Sequence, residues 1–326
     1  MDFIERHPIE NGFAEVFYDR IEPELNMLES QRLAMLANGK RKFLVWAGVG
    51  LALAAGAYAN LPGHDLQWVS VGVAILGGLG VGAMARSAAT KSWGSSISNV
   101  VMPPICDFLG DTRYDRRAQN GFSLGRLKSL SLIKSYSKAY LEDRIDGSYD
   151  GVDYAMVEAR LIDEDRDADG DRSDTQVFRG LLFRIKLPDP APTTMLITRD
   201  YGKIGNKLAG MFSGKSGRGM PRVETGHGKF EDHFELHADD AEAALAYLPD
   251  AFLDNLMEIA TTEADGGPKD LRASFHDDSL WLALGRSRPF LQMPSANKPV
   301  ETLVDELHNV FEDLNLVRRI IAQLKT

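Results

Sequence analysis

Two apolar runs without a charge, FLVWAGVGLALAAGAYANL at 43–61 and QWVSVGVAILGGLGVGAMA at 67–85, stand apart from the mixed polar and apolar pattern elsewhere in the chain. A hydrocarbon core about 30 Å thick needs about 20 helical residues, and each run is about that long. A helix satisfies every backbone N–H and C=O within one segment, which lipid requires, and Pro62-Gly63 supplies a turn between the runs. The pattern therefore predicts a transmembrane helix over 43–61, a short periplasmic turn over 62–66 and a second transmembrane helix over 67–85. The alternative is a buried helical pair inside a soluble domain, which two uncharged runs in so polar a chain disfavour. Small residues recur at helical spacing, Gly48, Ala52 and Gly56 in the first run and Gly78-x-x-x-Gly82 in the second. They predict close packing within the hairpin in preference to a seam between two copies.

Ahead of the hairpin, Phe13, Val16, Phe17, Ile21, Leu25 and Leu28 fall three or four residues apart. This is the stripe of an amphipathic cytoplasmic helix within 1–42, with Pro23 expected to kink or restart it. Residues 86–134 read as a juxtamembrane helical stalk broken at Pro103-Pro104. From about Ser135 the period changes to two. KAYLEDRIDG (138–147) and VDYAMVEARLI (152–162) read as strands joined through Gly147–Gly151, the second with Ala155, Val157, Ala159 and Leu161 on one face. QVFRGLLFRIKL (176–187), with Val177, Leu181, Phe183 and Ile185 inward, and TTMLITRD (193–200) extend them as an antiparallel meander. GKFEDHFELHAD (228–239) reads as a strand with Phe230, Phe234 and Leu236 on its core face. Helix follows over 240–261, interrupted near Pro249, then a hairpin of LRASFH (271–276) and LWLALG (280–285) around Asp277-Asp278. A helix over 299–324 with Leu303, Leu307, Val310, Phe311, Leu314, Val317, Ile321 and Leu324 on its stripe closes the chain. The expected fold class is α+β, a two-helix transmembrane hairpin plus a cytoplasmic antiparallel-sheet domain over 135–326 closed by a C-terminal helix. The sheet should bend strongly, and a pleckstrin-like barrel is one version of that.

Arg32, Lys40, Arg41 and Lys42 precede the first run, Arg86 and Lys91 follow the second, and the turn holds neither Lys nor Arg. By the positive-inside rule both termini face the cytoplasm. The formal net charge of −10 argues against nucleic acid as a partner. Cys106 is the only cysteine, so an intrachain disulfide and a cysteine metal site are excluded, in keeping with a reducing compartment.

Candidate chemistry is sparse. Asp165, Asp167, Asp169, Gly170 and Asp171 have the donor spacing of a calcium loop, but Gln176 stands where the bidentate Glu belongs and the flanks read as strands, which favours a solvated acidic turn. His233, Glu235 and His237 alternate along one strand as possible metal ligands, or as an ordinary exposed face. Ala209–Ser216 nearly spells a phosphate loop, but Ala209 replaces its first Gly and Gly217 and Gly219 oppose the following helix. Lys203, Ile204, Lys207, Leu208, Met211 and Phe212 form one apolar face with cations beside it. That face is either a membrane-interface helix or a helix covering the sheet. No catalytic residue set and no cofactor motif stands out.

The segments IEPELNMLESQR (21–32), AYLEDRIDG (139–147), VFRGLLF (177–183) and FEDHFELHADDAEAALAYLPDAFLDNL (230–256), in this order around an apolar hairpin, resemble a bacterial membrane-anchored family catalogued as a domain of unknown function. The resemblance lies in Glu142-Asp143 followed by Gly147, in Phe178-Arg179-Gly180, and in Phe230, Phe234, Asp239, Ala241, Ala244, Leu248 and Pro249. It implies an anchored architecture in a bacterial inner membrane and no reaction; some members of that family sit beside genes for LemA-like membrane proteins. Its motif residues look like fold determinants, with Asp239 as a helix N-cap. The expected role is an interaction or adaptor protein with the bilayer, and another membrane protein or a second copy, as partners. The alternative is a membrane-associated enzyme or lipid-handling protein whose pocket the sequence does not locate.

Overall fold

A computed structural model of the chain describes residues 2–60, 64–118, 121–166, 172–199 and 219–324. It divides into two compact units, one of residues 1–108 with 293–309 and one of residues 109–292 with 310–326.

In the first unit a short helix α1 (Phe13–Val16) passes through a π-helical stretch (Phe17–Ile21) into α2 (Glu22–Asn60), and α3 (His64–Thr90) and α4 (Trp93–Leu109) follow. Phe13, Phe17, Ile21, Leu25 and Leu28 of the expected stripe are buried. The helix does not restart at Pro23. The wide π turn before it absorbs the missing N–H and the ring that a regular turn cannot accommodate. Nor does Pro103-Pro104 break its helix, since α4 runs through both, and the chain instead turns at Lys91-Ser92. Around this base Phe3 lies against Phe13 and Phe17, ring centroids 5.3 and 5.4 Å apart, and stacks on His308 at 4.8 Å. His308 and Glu10 are both buried and bonded Nδ1 to Oε1 at 2.8 Å. The Trp93 indole donates to the Pro294 carbonyl at 2.8 Å, and Arg32 to that of Ala296 at 2.9 Å.

α2 and α3 meet at glycines, but only partly at the expected ones. A Cβ on Gly50 would lie 2.8 Å from the Ala74 carbonyl and 2.9 Å from Gly78 Cα, and one on Gly82 would lie 3.0 Å from the Phe43 ring, whereas Gly48 and Gly56 face open space. Spacing alone does not say which face of a helix meets its neighbour. Because only backbone lines the Gly50–Gly78 contact, Gly50→Val is expected to force the two helices apart. Disulfide cross-linking between cysteines introduced at Gly39 and Ala89, where a Cβ at position 39 would lie 3.5 Å from that of Ala89, should then be lost, while Gly48→Val leaves it intact.

Among the described residues of the second unit, nine strands form one sheet. They are β1 (Thr112–Asp115), β2 (Lys138–Tyr149), β3 (Val152–Arg166), β4 (Arg172–Lys186), β5 (Met195–Arg199), β6 (Arg222–Val223), β7 (Phe234–Ala238), β8 (Leu271–His276) and β9 (Ser279–Gly285), in the order β1-β2-β3-β4-β9-β8-β5-β7-β6. The helices of this unit are α5 (Leu124–Ser129), α6 (Gly228–Glu231), α7 (Ala241–Tyr247), α8 (Asp250–Glu263) and residues 310–324 of α9 (Leu303–Leu324). β1 falls where stalk helix was expected. β1 to β4 form the meander, but β5 leaves it to pair with β8 and β7, because the β8–β9 hairpin occupies the edge of β4. The β2–β3 turn is Asp150-Gly151, with φ of 51° and 77°, the two left-handed residues a tight hairpin needs. Gly147 lies inside β2, where a Cβ would come 2.6 Å from the Asp111 carbonyl.

One sheet face carries Val157, Ala159, Leu161, Leu182, Leu196, Trp281 and Ala283 beneath Leu124, Leu127, Leu132 and Ile133. Val177 joins this cluster and not the face of Leu181, Phe183 and Ile185 as its parity implied. Leu161 pairs with Phe178 and Ile162 with Gln176, so Val177 is an extra residue that flips the alternation. Residues 228–231 are helical, not strand, and Phe230 stacks on Phe234 at 5.2 Å. The residue capping α7 is Asp240, whose side chain accepts from Ala243 N at 3.1 Å, one position beyond the expected Asp239.

Candidate functional site

Two features of the structure have the character of sites, an apolar hairpin in the first unit and a set of charged clefts in the second. On the hairpin Leu44, Val45, Trp46, Leu51, Leu53, Trp68, Val69, Val73, Leu76 and Met84 are exposed, Leu76 by 72%. Both α2 and α3 contain stretches long and apolar enough to cross a membrane, by length and composition. Each such side chain is about half to three-quarters exposed and forgoes about 1 kcal/mol of burial, so the ten together forgo on the order of 10 kcal/mol. That is as large as the net stability of an ordinary domain, about 5–15 kcal/mol. The surface therefore calls for an apolar environment.

In the second unit a bulge in β2 between Glu142 and Ile145 holds Asp143 at φ 52°, buried to 5% exposure. The Tyr114 hydroxyl donates to Asp143 Oδ1, Arg116 Nη1 lies 3.3 Å from the same oxygen, and Asp143 N donates to the Arg116 carbonyl at 3.0 Å. Burial pushes the Asp143 carboxyl from its ordinary 3.8 up to about 6, with Arg116 and the Tyr114 bond opposing and Glu158 and Glu142 adding to the rise. Burial and the neighbouring carboxylate likewise raise the Tyr114 phenol. Opposite Glu142 on β3, Glu158 accepts from Phe290 N at 3.2 Å, and desolvation raises its carboxyl too.

Raised carboxyls weaken the fold as they ionise. Asp143 contributes its full stability below pH 3.8 and loses it as pH rises through about 6, because over that interval the folded state holds a proton that the unfolded chain has released. Asp143→Asn keeps an acceptor for Tyr114 and tolerates left-handed φ. We expect the variant to be more stable than the parent at pH 8, by about 1–3 kcal/mol, with the advantage vanishing toward pH 4. Urea unfolding at the two pH values measures this.

A second buried network fixes the segment after β9. Arg286 Nη2 bonds Asp313 Oδ1 at 2.7 Å with both side chains buried, Arg288 Nη2 reaches the same oxygen at 3.2 Å, and Leu291 N donates to Asp313 Oδ2 at 2.9 Å. Glu263 pairs with Arg319 and lies 3.9 Å from Arg286 Nη1. Next to this network opens a cleft of about 340 Å³ lined by Lys134, Arg179, Arg272, Arg286, Asp265 and Asp270 among others. A larger one of about 550 Å³ holds Arg113, Arg144, Arg184 and Lys186 against Asp111, Asp146, Asp153 and Asp278. Its charges balance, and Arg144 is tied to Asp146 at 2.7 Å. Among the described residues, neither cleft is lined by His or Cys.

The side chains of Asp165, Asp167, Asp169 and Asp171, residues Lys203, Ile204, Lys207, Leu208, Met211 and Phe212, and the whole near-phosphate loop Ala209–Ser216 lie outside the described residues. The proposed metal strand does not present its ligands outward. His233 precedes β7, while Glu235 and His237 are buried, with Glu235 bonded to Arg222 at 3.2 Å and His237 Nδ1 at 3.3 Å from the Met220 carbonyl. No group of three His, Cys, Asp or Glu side chains able to hold a metal occurs among the described residues. One arrangement had no signal in the sequence. Thr194 Oγ1 lies 3.1 Å from His276 Nδ1, and His276 Nε2 lies 3.2 Å from Asp277 Oδ2. That is the order of a nucleophile, base and orienting acid. Asp277, however, is exposed and shared with Arg126, and the three residues line neither cleft, so no pocket holds a substrate against them.

Residues 176–326 match the model of a family described as "Protein of unknown function (DUF3137)". The match includes Phe178-Arg179-Gly180, Phe230, Phe234, Asp239, Ala241, Ala244, Leu248 and Pro249 of the expected resemblance, while Glu142-Asp143 and Gly147 lie before it. Among solved structures, the crystal structure of the mycobacterial trehalose monomycolate transport factor A, TtfA, is similar with a TM-score of 0.29 and 9% identity, covering 64% of this chain and 88% of that one. No curated protein matches.

Proposed function

We propose that this chain, whose residues 176–326 match the model of that family of unknown function, is a membrane-anchored interaction protein. α2 and α3 cross the bilayer as a hairpin, both termini stay in the cytoplasm, and the sheet unit serves there as a docking module for another membrane protein or a second copy. A bacterial inner membrane is the expected location. The observation that carries this reading is the exposed apolar surface of the hairpin, which water does not tolerate and acyl chains do. The cations at 32–42 and at Arg86 and Lys91, against none in the turn, support the orientation.

A binding role fits the second unit better than catalysis. Its perturbed acids, Asp143 and Glu158, are consumed by backbone and side-chain bonds. Both clefts are lined by charged groups, which favours polar ligands over acyl chains. Capture of the tagged full chain in mild detergent tests the adaptor role. Recovery of one integral membrane protein in constant ratio, or of a second copy of the chain, supports it, whereas a monodisperse monomer without companions contradicts it.

A further inference from the structure

β2 extends beyond its outer neighbour. β1 pairs with residues 144–147 of it, and the Arg116 carbonyl accepts from the N–H of Asp143 at 3.0 Å. Among the described residues no strand covers the outer edge of Lys138–Glu142, the stretch before the bulge. Leu132 and Ile133, which precede it, are buried on the Val157 face, so the chain enters this edge from one side of the sheet and does not continue along it. Ala139, Tyr140 and Glu142 are exposed, Tyr140 by 44%. Such an edge leaves alternate backbone N–H and C=O groups without a ladder partner, and an added strand satisfies them.

The side chains decide which strand fits. Ala139 and Leu141 stand opposite Leu161 and Ala159 on the cluster face, whereas Lys138, Tyr140 and Glu142 lie on the other, where the Arg160 guanidinium sits 4.6 Å from the Tyr140 ring centre. Glu142 is directly opposite Glu158 and next to Asp143, and among the described residues its carboxylate has no hydrogen bond or ion pair. Like charges across a ladder repel, so a cation beside Glu142 would be stabilising. Lys138, paired with Glu164, stands at the other end of the same edge. A two-fold axis normal to the sheet keeps each side chain on its own face, which limits the registers in which the edge can meet a second copy of itself. One register pairs the whole stretch. It sets Lys138 against Glu142 of the second copy at both ends, Ala139 against Leu141 inside them, and Tyr140 against Tyr140 on the axis, so that every pair is opposite in charge, apolar or aromatic. A slip of two residues either sets Lys138 against Arg144, which β1 already covers, or takes Glu142 past the start of the strand.

We infer that the Lys138–Glu142 edge of β2 is the surface on which a second copy of this chain docks, strand antiparallel to strand about a two-fold axis at Tyr140. The inference rests on the reading of the sheet unit as a docking module and commits that module to self-association. Light scattering of the full chain in mild detergent, over a dilution series, measures it. The parent should dimerise. Lys138→Glu and Glu142→Lys should each weaken the dimer by about tenfold or more, since either reversal replaces two opposite-charge pairs with two like-charge pairs. Mixed in equal amounts, the two variants should associate with the parent's affinity, because each chain then meets the opposite charge at both ends. A variant that had merely misfolded would not be restored by mixing. Asp189→Lys, at an exposed position elsewhere in the sheet unit, should leave the dimer unchanged. A dimer that both reversals leave intact, or that mixing does not restore, overturns the inference and leaves a self-associating adaptor. A parent that holds a different membrane protein in constant ratio and no second copy also overturns it, with the adaptor reading intact. A monomer without companions overturns both.

Discussion

Gly180→Ala is expected to prevent the sheet unit from folding. A Cβ built on Gly180 would lie 2.0 Å from the Leu284 carbonyl oxygen, 2.7 Å from Arg286 N and 2.9 Å from Gly285 Cα, all backbone atoms of the strand paired with β4 or of the residue after it. None can withdraw without opening the β4–β9 ladder at the middle of the sheet. The backbone there also has φ of 150°, outside what an L side chain adopts readily. Together these place the substitution among the exceptional cases, a loss of about 4–5 kcal/mol or more against a total stability of about 5–15. Gly151→Ala is the control. It has φ of 77° but meets nothing within 4 Å, so it forfeits only the backbone preference, about 1–2 kcal/mol. Urea unfolding of the full chain in detergent should show a native transition for the second variant and none for the first. Equal, small losses for both would mean that the close approach of β4 and β9 is not tight.

Arginine on the hairpin has an effect whose sign depends on the solvent around it. Leu51 and Leu76 are exposed, by 61% and 72%. If lipid surrounds them, Leu51→Arg with Leu76→Arg should cost about 5–7 kcal/mol of insertion free energy and move the chain out of the membrane fraction. If water surrounds them, the same pair replaces a greasy surface with a charged one and should raise yield and solubility. Alkaline extraction of membranes followed by immunoblotting reads the partition. The same pair at the exposed positions Asp189 and Asp250 of the sheet unit should leave it unchanged.

Much of the architecture is legible in residue patterns because it depends on local periodicity. The α1–α2 stripe from Phe13 to Leu28, the alternation of Val157, Ala159 and Leu161, and the stripe of α9 are each set by which residues can face a core. What escapes is what depends on distant partners. The departure of β5 from the meander follows from β9 having taken the edge of β4, and Val177 changes face through a one-residue bulge that leaves no compositional trace. Glu10 and His308 are 298 positions apart and meet only in the folded chain. Glu235 and His237 alternate as exposed residues do, yet β5 and β6 flank β7 and help to bury both. Glu142-Asp143 and Gly180 could be singled out from the sequence as fold determinants. The reasons for them, a left-handed aspartate sealed by Tyr114 and a strand contact with no room for a methyl group, required coordinates.

Thiol labelling of intact cells tests the anchoring most directly. In a Cys106→Ala background, a membrane-impermeant maleimide should modify the chain carrying Asp65→Cys, beside the turn, without permeabilisation, and the chain carrying Asp189→Cys, in the sheet unit, only after it. Equal labelling of both positions in intact cells, or recovery of the chain from the soluble fraction, would contradict a hairpin that crosses the bilayer with the sheet unit inside.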